Sequence, residues 1–197
     1  MFNIIARLPS SYKFDNLDNF KQVLKMTIDQ KLADAINDQI NAEFWSAFLY
    51  LSMACYWEQQ GRSGVANWFK VQFKEEQAHA EIFIDYLHAR GGEVKLQPID
   101  KMKQTWDSLE ETFSDTLTHE MGVTKRINDL YALAEEEKDY ATRQMLNWYI
   151  AEQVEEEHNV QDILDNLKLV NGDGTGILQI DRELAARTYV APSIAKD

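Results

Sequence analysis

Four stretches of this chain repeat apolar side chains at every third or fourth position over many turns, and the residues that interrupt helices fall between them. From Thr27 onward, Ile28, Leu32, Ala35, Ile36, Ile40, Phe44, Ala47, Leu51 and Ala54 hold one helical face until Gly61 closes the run. A second stripe (Val65, Phe69, Phe73, Ala80, Phe83, Leu87) starts after a Ser63 cap and stops at Gly91-Gly92. A third runs from about Thr105 through Leu109, Phe113, Leu117, Val123, Ile127 and Leu130 to Ala134. The fourth takes Tyr140, Met145, Tyr149, Val160, Ile163 and Leu167 and ends before Asn171-Gly172. Past Asn171–Gly176, which reads as a flexible hinge, lies a short fifth segment, Gln179–Thr188. Only eight Gly and three Pro occur in 197 residues, so long uninterrupted helices and an all-α fold are expected.

The connections fix how such helices pack. The turns around Gly61 and Lys138 are short, so each joins antiparallel neighbours. The link from Gly92 to about Gln104 contains Pro98 and, at roughly 3.3 Å per residue, spans about 40 Å. The second helix, at about 1.5 Å per residue, has a similar length. One long crossover between the second and third helices of a four-helix bundle is therefore the expected topology. The length allows one core, placed in residues 27–197. Residues 1–26 keep no helical period beyond a possible short helix around Leu17–Leu24, and read as a loose extension or a start-site artefact.

A net charge of −13 argues against nucleic acid as a partner, because phosphate binding needs clustered Lys and Arg. No run is apolar enough to span a membrane. The single Cys55 forms no internal disulfide, reads as a small buried core residue, and fits a reducing, cytoplasmic setting.

The chemistry lies where the stripes are broken. Steps of three and four run through Ile36, Ile40, Glu43, Ala47 and Tyr50 on the first helix. They run through Phe69, Gln72, Glu76, His79 and Phe83 on the second, and through Leu117, Glu120, Thr124 and Ile127 on the third. On the fourth they join Tyr149, Glu152, Glu156 and Val160. Every helix thus sets a glutamate on its apolar seam, and Glu76 and His79, three apart, share a face. One such residue could snorkel to water. Four at mid-length is different, because each buried unpaired carboxylate costs several kcal/mol against a net stability of about 5–15 kcal/mol. Either the carboxylates are protonated or cations lie among them. A site rich in oxygen, with one imidazole and no thiolate, suits iron or manganese better than structural zinc.

Glu43 with Tyr50, Glu75-Glu76-Gln77-Ala78-His79, His119-Glu120, and Trp148-Tyr149 followed by Glu152-Gln153-Val154-Glu155-Glu156 together resemble the bacterial non-haem ferritins, over roughly Thr27 to Arg187. The resemblance implies a ferritin-like bundle with a di-iron centre. Its first site would be Glu43, Glu76 and His79, and its second Glu76, Glu120 and Glu156, with Glu76 bridging. It further implies a third iron site at Glu75, Glu152, Glu155 and Glu156, with Gln153 and Tyr50 beside the irons. It implies Fe(II) oxidation by dioxygen or hydrogen peroxide, ferric oxide storage in a hollow homo-oligomer of 24 subunits, and a fifth helix around the four-fold axes. Haem is not expected, since Gln153 and Glu156 stand where bacterioferritins carry a second Glu-x-x-His and Gln77 stands where they carry a haem-ligating Met. Arg143 and Leu146 stand where animal heavy-chain ferritins line their three-fold channel with acidic residues.

The remaining features read as structural. His88, His119 and His158 are expected at the surface or at helix ends, the Trp and Met residues in the core, and Glu135–Glu137 in solvent. Two rival functions remain: a di-iron oxygenase or peroxidase on the same bundle, and a scaffold whose glutamates meet at an interface.

Overall fold

The computed structural model describes residues 27–192, so the expectations for residues 1–26, including the short helix near Leu17–Leu24, lie outside the described residues. Among the described residues there are five helices and no strands: α1 (Gln30–Gln59), α2 (Ser63–Ala89), α3 (Leu109–Glu136), α4 (Tyr140–Val170) and α5 (Gly174–Leu184). None is long and apolar enough to cross a membrane.

Four of the five helices open on a side-chain cap. The Asp29 side chain accepts from Lys31 N, Ser108 from Glu111 N, Asp139 from Thr142 N and Asp173 from Gly176 N, satisfying amides that a first helical turn leaves without partners. The second helix differs in detail from expectation: Ser63 is its first residue, and Arg62 occupies the cap position without a side-chain bond. The third starts four residues later than its apolar pattern suggested. Ser108 sets that start, and Trp106 is held in the preceding loop by an indole bond to Asp115 Oδ2 of 3.1 Å. The fifth starts and ends earlier than expected. Asn171–Gly176, read as a flexible hinge, is instead a hydrogen-bonded double cap: Asn171 is left-handed (φ 45°, ψ 45°) at the end of α4, and Asp173 opens α5.

Helices α1 and α2 pack as one antiparallel pair, α3 and α4 as another, and α5 sits against α2 and α4. The crossover, residues 90–108, runs back along α1. Lys95 N donates to Asn37 Oδ1 (2.6 Å), Gln97 Nε2 to Asp38 Oδ1 (2.8 Å), and Ser52 Oγ to the Lys103 carbonyl (2.8 Å). Trp57 then meets Thr112 at the start of α3, and Lys31 meets Glu137 beyond its end. α3 therefore descends parallel to α2, as a single long crossover requires.

Two apolar clusters fill the bundle. The one nearer α5 gathers Leu49–Trp57, Val65–Phe69, Trp106, Leu109, Phe113 and Val160–Leu167; the other gathers Ile28–Ile40, Ala80–Leu87, Val123–Ala134 and Met145–Tyr149. On each of the four long helices the clusters are separated by one polar interval. Those intervals hold Glu43, Glu76 with His79, Glu120, and Gln153 with Glu156. One glycine is decisive for α5: a Cβ on Gly64 would lie 1.6 Å from the Asp181 carbonyl oxygen. The close approach lets Asp181 Oδ1 accept from Val65 N (3.0 Å) and stitches α5 to the start of α2.

The Cys55 expectation fails. Its thiol is exposed, because Cys55 falls on the solvent side of α1 while Ala54, one step away, is fully buried. Glu135–Glu137 are in solvent, as expected.

Candidate metal centre

The polar intervals form one layer. Glu43, Glu76, His79, Glu120, Gln153 and Glu156 are each at most 4% exposed, and Tyr50 is fully buried. Glu43, Glu76 and His79 each offer a ligand atom within 4.8 Å of the other two, the size of a single cation site. His79 Nδ1 is 3.8 Å from Glu76 Oε2 and its Nε2 is 3.9 Å from Glu152 Oε1, both too long for hydrogen bonds. His79 Nε2 is therefore buried without a hydrogen-bond partner, an arrangement that costs stability unless a cation takes its lone pair or an acceptor its N–H.

The other two seam glutamates are held from outside the trio. The Tyr50 hydroxyl donates to Glu120 Oε1, and Gln153 Nε2 donates to Glu120 Oε2 at 3.1 Å. Gln72 Nε2 donates to Glu156 Oε2 at 2.8 Å, leaving Gln72 Oε1 buried without a donor. On the first helix Gln39 Nε2 donates to Glu43 Oε1 (2.8 Å), while the exposed Arg126 of α3 donates through Nε to Gln39 Oε1 (3.1 Å) and through Nη2 to the Asp38 carbonyl (2.9 Å). Each glutamine orients its carboxylate; Glu43 and Glu156 accept from the glutamine on one oxygen only, whereas both oxygens of Glu120 accept.

The electrostatics follow from crowding. Burial pushes Glu76 well above the ordinary carboxylate range, and Glu120, Glu43 and Glu156 add to the shift. Burial raises Glu156 to about 8, with Glu120 and Glu75 contributing. Glu120 is also raised by burial, an effect opposed by its bonds from Tyr50 and Gln153. The Tyr50 phenol is driven well up by burial and by Glu120. Without a cation the layer therefore holds protons at neutral pH. Any metal ion entering such a layer would have to displace those protons, because ligation requires the deprotonated form.

Glu75 and Glu152 lie beside this layer, partly buried, and Glu155 is exposed. The three are close enough that Glu152 and Glu155 both raise the Glu75 carboxyl, although burial is the larger cause. The pattern of misplaced glutamates did not reveal Arg187, which pairs with Glu75, nor the roles of Gln39 and Arg126. Gln39 lies four residues before Glu43, the i, i+4 spacing that could have suggested it.

His119 corrects a second expectation. It is half-buried rather than exposed: it lies between α1 and α3, with Nε2 2.8 Å from Ser46 Oγ and its ring 5.4 Å from that of Trp45. Burial lowers its pKa to about 4, so it is neutral at pH 7. His88 and His158 are exposed, His158 lying 3.5 Å from Asp162.

The ferritin-like domain family matches residues 33–170, which include all four seam glutamates and His79. This chain belongs to the ferritin family. Its curated relatives include a bacterial non-heme ferritin of Bacteroides fragilis (strain 638R), 44% identical over 160 residues, 81% of this chain and 99% of the relative. One of Staphylococcus aureus (strain USA300) is 36% identical over 162 residues, covering 82% of this chain and 98% of the relative. Among solved structures, an engineered closed form of the Archaeoglobus fulgidus ferritin superposes with a TM-score of 0.82 at 44% identity, covering 83% of this chain and 100% of its own. The open-pore ferritin from the same archaeon superposes at 0.81 and 45% identity, covering 82% and 100%. The four-helix bundle with a short C-terminal helix is thus the ferritin fold, and iron storage is the function of this ferritin.

Proposed function

We propose that this ferritin is a ferroxidase whose substrate Fe(II) binds in pairs within the carboxylate layer. Glu43, Glu76 and His79 take one ion, Glu76, Glu120 and Glu156 the other, and Glu76 bridges. The observation that carries the reading is the unpartnered imidazole nitrogen of His79 inside a buried trio of ligand atoms. Carboxylate oxygens with one imidazole match the preference of iron, and their charge favours the ferric over the ferrous ion. Two Fe(II) ions lose one electron each. Dioxygen takes both electrons with two protons and leaves as hydrogen peroxide; peroxide in the same role takes two electrons and two protons and leaves as two waters. The protein's part is to hold two reductants near one two-electron oxidant and to release protons as metal enters. Tyr50 and Gln153 orient Glu120.

Glu75, Glu152 and Glu155, with Glu156, form the third ion's site and pass ferric iron onward to a hydrated oxide core. The subunit assembles as a homo-oligomeric shell of 24 copies in the cytoplasm, and haem plays no part. Glu76→Ala should lower the rate of aerobic Fe(II) oxidation at least about 100-fold, the scale on which removal of a transition-state contact is felt. His79→Ala should lower it less. A Glu76→Ala protein that oxidised Fe(II) at the wild-type rate would refute the paired site. A native mass of one or two subunits in solution would refute the shell.

A further inference from the structure

The chain beyond α5 is drawn along α2 by a single side chain. Asn67 Nδ2 donates to the carbonyls of Leu184 (3.2 Å), Ala185 (3.3 Å) and Arg187 (2.9 Å). This sets the Arg187 guanidinium 4.7 Å from the centre of the Trp68 ring and brings its Nη2 to 2.7 Å from Glu75 Oε2. Farther along, Lys74 Nζ lies 5.9 Å over the Tyr189 ring. The pair is well shielded, with 22% of the Arg187 side chain and 17% of the Glu75 side chain exposed. Arg187 Nη1 is buried with no acceptor, so the arginine uses one arm of its fork and not both.

Glu75 cannot serve two cations equally. An oxygen lone pair committed to a guanidinium at 2.7 Å is not available to a metal ion, and the positive charge beside it repels a second one. The aromatic face of Trp68 and the Asn67 bonds hold Arg187 in place, yet its unsatisfied arm limits what is lost when it leaves. We infer that Arg187 is the built-in counter-ion of the Glu75–Glu152–Glu155 trio and competes with a divalent cation for Glu75. A third ion then gains Glu75 only as the C-terminal strap lets Arg187 swing away. The inference rests on the reading of these carboxylates as the third ion's site.

The test is anaerobic calorimetric titration of the assembled protein with Co(II), which binds oxygen and imidazole ligands but is not oxidised during the measurement. Wild type should bind two ions per subunit tightly and a third weakly. Arg187→Gln should tighten the third site at least tenfold and leave the first two unchanged. Asn67→Ala, which frees the strap without touching a carboxylate, should shift the third site in the same direction by a smaller factor. Adding Glu75→Gln to Arg187→Gln should erase the gain. A third-site Kd within twofold of wild type in both Arg187→Gln and Asn67→Ala would overturn the competition while leaving the third site standing. No third ion in any protein would overturn both, and loss of the first two ions as well would overturn the paired site.

Discussion

The aromatic cluster beneath α5 and the carboxylate layer beside it are equally dry, yet they balance polarity in opposite ways. In the cluster Tyr50, Trp68, Phe69 and Phe113 stack or meet edge to face at 4.9–5.9 Å, and the buried polar atoms of Trp57 and Thr116 find neutral partners. Trp57 Nε1 donates to Thr112 Oγ1, and Thr116 Oγ1 donates to the Thr112 carbonyl. In the layer, three of the four glutamates share three glutamine amides and one phenol, and a histidine nitrogen goes without a partner. One region is closed by its own side chains. The other needs protons or cations to balance its buried charge.

The contrast can be broken from either side. The largest effect on folding should come from Phe69→Ala, which empties the middle of the aromatic stack and costs about 3–5 kcal/mol by the usual scale for a large buried side chain. Denaturant unfolding would show it, while the Fe(II) oxidation rate per folded subunit should stay within a few-fold of wild type. Loss of oxidation in step with stability would mean the two regions are not separable.

Next comes the pH dependence of the metal-free protein. Glu156 is raised to about 8, so folding favours its neutral form. That advantage is fully present below the ordinary carboxylate pKa and is lost as pH rises towards 8. Metal-free protein should therefore lose stability between about pH 5 and pH 8. Glu156→Gln, which cannot ionise, should show a shallower decline and a higher melting temperature at pH 8. Parallel melting-temperature curves for the two proteins would contradict the charge imbalance.

A smaller effect is expected where the layer meets the surface. Arg126→Ala removes the outer hold on Gln39 and so loosens Glu43, and should slow Fe(II) oxidation by about threefold to tenfold with little change in stability, since of its two hydrogen bonds only the one to Gln39 bears on Glu43. Stopped-flow oxidation checks it. Arg126→Lys, which keeps the charge but not the fork, should recover only part of the rate. Smallest is Trp57→Phe, which loses the bond to Thr112 and should cost about 1 kcal/mol in thermal unfolding, with oxidation untouched.

Much of this molecule is legible in its sequence for a simple reason. A glutamate on an apolar stripe is conspicuous, and four at matching depth converge whatever the detailed packing, so Glu43, Glu76, Glu120 and Glu156 can be found without coordinates. The crossover is legible too, since only a long link can return the chain to the far end of the bundle. Helix ends were harder: α3 begins at a serine cap after a tryptophan anchored by distant partners, and α5 begins among glycines that propensity disfavours. Cys55 and His119 were misplaced because a single residue's side of a helix depends on its rotation, which an apolar stripe fixes only to within a residue. Arg187 could not have been foreseen. It is 112 positions from Glu75, and no local pattern links them.

The bare α-carbon of Gly64 reaches further than its size suggests. Because the Asp181 carbonyl occupies the space a methyl group would need, the height at which α5 docks is set there, and Arg187 follows three residues after that helix ends. Gly64→Ala would lift the last helix and carry the arginine with it, loosening its grip on Glu75. A position with no charge, no donor and no acceptor on its side chain would then tune metal occupancy from a distance, much as the placement of a hinge pin decides where a latch meets its plate.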